Sequence, residues 1–204
     1  KLGIDRPRSD GAAFVRTLGL RMRFLVGPLD RTPVPGVTPL AEQHRLDAIW
    51  RASMNLTMAR HAQGAYLAAI FIRLGLASKE PWVVARAVGW EGVLENTIGG
   101  RYFQRRAQRL LAKMDRIVER GLDDEMIAFA HAARGSCAWF DGDLREAHRQ
   151  CTLAIEALHR CRFGTTWEET VSRAYVLHSP GFLGDLTALA TEPEAALEDA
   201  TARG

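Results

Sequence analysis

The side chains best equipped for chemistry in this 204-residue chain are His148, Cys151, His159 and Cys161, four potential metal ligands or nucleophiles in a short stretch. His148 and Cys151 are three residues apart, so on a helix both face one way and could reach one ion. His159, eleven residues beyond His148, returns close to that face, whereas Cys161 is displaced from it. Structural zinc sites unite two separate ligand pairs across a loop, and this set lies along one apparent helix. The spacing therefore argues for packing, and no metal is expected. Three cysteines and six histidines without a local catalytic signature define no nucleophile–base pair. A kinase catalytic loop, an Asp-Phe-Gly triplet and a Gly-Lys phosphate cradle are all missing; Phe140-Asp141-Gly142 holds similar letters in the wrong order. No cofactor and no catalytic residue are expected.

Charge is the stronger hint. The net charge is +3, but residues 101–120 carry seven basic and two acidic side chains, and residues 1–31 carry seven and three. At 100° per residue Arg105, Arg109, Lys113, Arg116 and Arg120 fall within an arc of about 80°. Phe103, Ala107, Leu110, Leu111, Met114, Ile117 and Val118 take the opposite side. Such a stripe suits phosphates, anionic lipid or an acidic protein, and it is also what a solvated amphipathic helix looks like. It lacks interleaved aromatics for base stacking, so a protein partner is favoured over nucleic acid.

The elements that must carry these residues are helical. Runs of β-branched residues in strict alternation are missing, and Pro and Gly divide the chain into segments of helical period. Residues 1–30, with a helix over 11–29, read as the end of a preceding segment or as an N-terminal helix, and residues 31–39 (RTPVPGVTP) as a linker. From residue 40 to 204 helices alternate with short breaks. First helices of successive pairs begin near residues 44, 82, 124 and 165, a spacing of roughly 38–42. Gly99-Gly100, Asp141-Gly142-Asp143, Pro180-Gly181 and Gly184-Asp185 mark the stops, with Pro180-Gly181 ending the helix that opens near Thr165. The fold class is all-α: antiparallel helical hairpins stacked as a solenoid.

Hydrophobic content of 47% against 25% charged provides a sizeable core. An odd, sparse set of three cysteines suggests a reducing cytoplasm. No apolar run approaches the ~18–20 residues that span a bilayer, and no signal peptide precedes the first helix. The chain starts at Lys1 without Met, which suggests a piece of a longer polypeptide, and any catalytic domain would then lie upstream.

Residues 125–157 resemble a tetratricopeptide repeat. Gly135, Gly142, Ala147 and Ala154 stand at that family's small positions, while His131, Arg134, Ala138, Cys151 and His159 replace its Trp, Leu, Tyr, Phe and Pro. Residues 46–58 (LDAIWRASMNLTM), 81–91 (PWVVARAVGWE), 135–147 and 163–168 (FGTTWE) are similar to the helical tail of large bacterial serine/threonine kinases, in which an AAA-type ATPase module often precedes the tail. The resemblance implies a non-catalytic regulatory segment. Its first helices would present Asn55, His131 and Arg134 in a groove. With the basic stripe, they are the candidate contacts for a protein partner or for upstream domains of the same polypeptide. The alternative is a small-molecule-sensing helical domain that controls an upstream ATPase or kinase.

Overall fold

The computed structural model describes residues 3–26, 38–120, 123–161 and 166–203. Among the described residues the regular elements are all α-helices: α1 Asp10–Val26, α2 Leu40–Ala59, α3 His61–Gly75, α4 Pro81–Ile98, α5 Gly100–Val118, α6 Asp124–Asp141, α7 Leu144–Leu158, α8 Thr166–Leu183 and α9 Leu186–Arg203. Most of the proline-rich stretch 31–39 and part of the 163–168 motif lie outside the described residues. The chain groups into two compact units, Lys1–Glu91 and Gly92–Gly204, a division that falls inside α4.

In the first unit, Trp50 on α2 packs against Phe71 on α3 at 5.1 Å and edge-on against Trp90 on α4 at 5.6 Å. Leu46, Ile49, Met54, Ile72 and Val83 complete a dry interior. Arg86 is buried in it, its guanidinium 5.4 Å from the Trp50 ring and 5.5 Å from Trp82, an arrangement that returns part of the cost of desolvating a charge. Helix α1 joins through Ala13, which clusters with Tyr66 and Ile70 of α3. Only Arg60 separates α2 from α3. Gly64 makes this tight corner feasible, because a Cβ there would lie 2.5 Å from the backbone nitrogen of Thr57.

In the second unit α7 packs between α6 and α8, and α6 also touches α8. The α6–α7 turn is dictated locally. Gly142 takes a left-handed φ of 79°, with Gly142 N–H donating to Trp139 O and Asp143 N–H to Ala138 O, the Schellman pattern of helix termination. Asp143 then caps α7 by accepting from Glu146 N–H at 3.2 Å. The α8–α9 turn repeats this device: Gly184 has φ 73°, Asp185 N–H donates to Pro180 O, and the Asp185 carboxylate accepts from Ala188 N–H. The residues around the two turns agree as well, Phe140-Asp141-Gly142-Asp143-Leu144 and Phe182-Leu183-Gly184-Asp185-Leu186.

One boundary differs from the sequence expectation. Pro180 does not end a helix; α8 continues through it to Leu183. Proline forfeits the bond from its own nitrogen to Val176 O and its ring crowds that carbonyl, a cost the helix bears over its last turn; one residue earlier the Ser179 hydroxyl donates to Tyr175 O at 2.6 Å. The true stop is Gly184, four residues later, where the backbone is left-handed.

Candidate interaction surface on the basic helix

Helix α5 is positioned by its apolar side. Ala107, Leu110, Leu111, Met114 and Ile117 are all buried. Gly92 of α4 lets the two backbones approach, since a Cβ there would meet Ala107 O and Leu110 Cβ at 3.4 Å. Polar contacts then fix the rotation. Arg106 turns inward, and its Nε donates to the fully buried Glu95 at 2.6 Å. Gln104 donates to Asp141 at 3.1 Å, and the same carboxylate oxygen accepts from Asn96. Asp115, the one acidic residue of α5, is gripped by the fork of Arg134 from α6, with Nε donating at 3.0 Å and a terminal nitrogen on the second oxygen.

This leaves Arg101, Arg105, Arg109, Arg116 and Arg120 exposed on one face, with no ion pair among the described residues. Lys113 is half-buried and already engaged within the chain. The row runs along about 28 Å of helix, the rise of α5 at 1.5 Å per residue. Arg101, Arg105 and Arg109 follow one another at i,i+4, where like charges repel and weaken a helix by a few tenths of a kcal/mol per pair. An ordinary solvated face mixes its signs, as α7 does with Arg149 forked on Glu146 at 2.7 and 2.6 Å. Within α5 the row is unmixed, and an acid joins it only past the helix end, where the exposed Glu119 stands beside Arg120, so an anion laid along the helix relieves repulsion as well as adding attraction.

The structure separates the sequence-derived candidates into groups. Arg105, Arg109 and Arg116 share the open face, with Lys113 at its margin. Arg134 borders that face but is committed to Asp115. His131 is committed to the α6–α7 contact: its Nδ1 donates to Gln150 Oε1 at 2.7 Å, because an amide oxygen can only accept. Asn55 is exposed on α2, in the other unit. Two features escaped the sequence reading. Tyr102 is 63% exposed and lies on the arginine face, three and seven residues before Arg105 and Arg109, so the face does carry an aromatic, contrary to the sequence expectation. Trp139 stacks on Tyr175 at 4.7 Å and meets Phe182, itself exposed, at 5.6 Å. The helical spacing of Tyr102 was readable; the stacking of residues from α6 and α8 was not.

The three thiols are harder to ionise than free cysteine. Burial pushes Cys137 and Cys151 up to about 12, and it also raises Cys161. Among the described residues no group of three His, Cys, Asp or Glu side chains comes together as a metal site. Among them, too, no helix is long and apolar enough to cross a membrane. Comparison with known proteins returns nothing: no family model, no curated protein and no solved structure matches the chain.

Proposed function

We propose that this chain is a non-catalytic helical-repeat scaffold that holds an acidic segment of a protein along the arginine face of α5. The observation that carries the repeat is spacing. The helices α2, α4, α6 and α8 start at Leu40, Pro81, Asp124 and Thr166, so successive pairs are offset by 41, 43 and 42 residues. The second, third and fourth pairs turn at Gly99, Gly142 and Gly184, each with a left-handed φ between 73° and 79°. A regular period with a recurring turn residue is the mark of stacked hairpins, and a tetratricopeptide-like solenoid is the arrangement that fits it. The unmixed arginine row supplies the binding chemistry, because a guanidinium fork matches a carboxylate with two parallel bonds. A place in the tail of a larger bacterial signalling kinase or ATPase, in the cytoplasm, rests on the resemblance of residues 46–58 and 81–91. The acidic segment then belongs to a partner or to another part of the same polypeptide.

The test is a titration with a Glu-rich peptide of about twelve residues, long enough when extended to follow the helix. Wild-type chain binds it, and affinity falls as salt is raised because exposed pairs are screened within about 8 Å. Exchanging Arg105, Arg109 and Arg116 for Glu weakens binding at least about tenfold. Equal binding by the wild-type and exchanged chains, or a preference for single-stranded RNA over the peptide, would overturn the reading.

A further inference from the structure

The first unit contains a second cationic feature of a different kind. A cleft of about 450 Å³ opens where the segment around Ile4 crosses α1 and α3. Its floor is apolar, formed by Leu20, Ile70 and Leu74, which pack around the Ala13–Tyr66 cluster. Three guanidiniums stand at its walls, each from a different helix: Arg16 from α1, Arg45 from α2 and Arg73 from α3. Two have acidic partners. Arg16 donates to Asp5 at 2.6 Å, and Arg45 donates to both oxygens of Glu42 at 3.2 Å. Arg73 is exposed and has no ion pair among the described residues. The crossing segment is held in place by the Tyr66 hydroxyl, which donates to Asp5 O at 3.1 Å.

Gly19 lies exposed at the rim of the cleft, and a Cβ there would meet nothing within 4 Å, so a larger side chain can be placed at the rim without displacing the packing of α1. Volume, an oily floor and a small number of convergent polar groups are the attributes of a ligand site.

We infer that this cleft binds a small organic anion whose single carboxylate or phosphate head meets Arg73 and Arg16 while its apolar body lies on Leu20, Ile70 and Leu74. Two guanidiniums fix the head; the floor selects against fully polar anions such as free phosphate. Asp5 competes with the ligand for Arg16, so occupancy is coupled to the position of the crossing segment. The inference goes beyond the acidic-segment reading and shares no residue with it.

Binding is followed on the whole 204-residue chain by calorimetry and by amide shifts, with hexanoate, phenyl phosphate, hexanamide and inorganic phosphate as probes. Hexanoate or phenyl phosphate is expected to bind and to shift amides of α1 and α3, and the one that binds identifies the head group. Arg73→Gln is expected to weaken that binding about tenfold, the worth of one charge-assisted hydrogen bond. Gly19→Phe places a large side chain at the rim and is expected to abolish binding while the helical circular dichroism is retained. Asp5→Asn removes the competitor and is expected to tighten binding by up to about fivefold. The proposal is overturned if neither anion binds, if hexanamide or inorganic phosphate binds as well as the better probe, or if Arg73→Gln and Gly19→Phe leave affinity unchanged. None of these outcomes touches α5, and loss of acidic-peptide binding in the arginine exchanges leaves the cleft result standing.

Discussion

The α2–α3 and α6–α7 pairs both rely on a glycine for close approach, but the two glycines face different obstacles. A Cβ on Gly64 would strike the backbone nitrogen and Cα of Thr57, atoms of a helix that cannot move aside. A Cβ on Gly135 would strike the Sγ of Cys151, with backbone at the tighter limit of ordinary contact, 3.3 Å away. The first pair therefore meets backbone to backbone, the second through one small side chain. The surroundings differ in the same sense. Around α2 and α3 the interior is built from Trp50, Phe71 and Trp90, while a separate set of residues on α1 and α3, among them Leu20, Ile70 and Leu74, lines a cleft. Around α6 and α7 it is built from Ala128, Ala132, Ala133, Ala147, Ala154 and Ala157, which leave flat sides suited to stacking.

That contrast can be broken in order of expected effect. Gly64→Ala should be the most damaging, costing about 3 kcal/mol or more from overpacking against backbone, less the ~1 kcal/mol that alanine gains in helix propensity. Denaturant unfolding followed by hydrogen exchange in α2 and α3 measures it, and a second change, Thr57→Ala, should not restore the loss. Gly135→Ala should cost about 1–2 kcal/mol net, read in α6 and α7. Here rescue is expected: in a Cys151→Ala background the same substitution should be neutral or slightly stabilising, since the obstructing sulfur is gone. A full cycle with no coupling between positions 135 and 151 would show that the second pair is not closed through that side chain. The smallest effect concerns Glu146, whose carboxyl is lowered to about 2 by hydrogen bonds from Arg149 and then Gln150. An unfolded glutamate titrates near 4.3, so the stabilisation is complete above that pH and is lost as pH falls through about 2. The group is largely exposed and screened, so Glu146→Gln should flatten the acid limb of α7 unfolding by only a few tenths of a kcal/mol.

Much of the scaffold was legible because its punctuation is local. Gly142-Asp143 and Gly184-Asp185 combine a left-handed stop with the next cap, and those residues can be read without knowing their neighbours in space. Pro180 misled because a proline this close to the end of a helix costs a bond without setting the stop, which here is the left-handed Gly184. Gly64, in the first turn of α3, serves a contact with α2 that only packing reveals. The arginine face followed from helical spacing alone. His131 and Arg134 read equally well as groove contacts, but Gln150 and Asp115 engage them from other helices. Which polar residue is already occupied is a tertiary fact. The cleft was beyond reach for the same reason, since it depends on three helices and a crossing segment meeting.

The central claim is that the unmixed arginine row of α5 is where this scaffold holds its partner. Hydrogen exchange of the intact chain with and without a saturating Glu-rich peptide tests it most directly, ideally at low salt, where exposed charges are least screened. The account predicts slowed exchange along α5, centred between Arg101 and Arg116, and weaker protection where Arg134 on α6 borders that face. Protection confined to the exposed apolar residues of α1 or α9, with α5 unchanged, would contradict it.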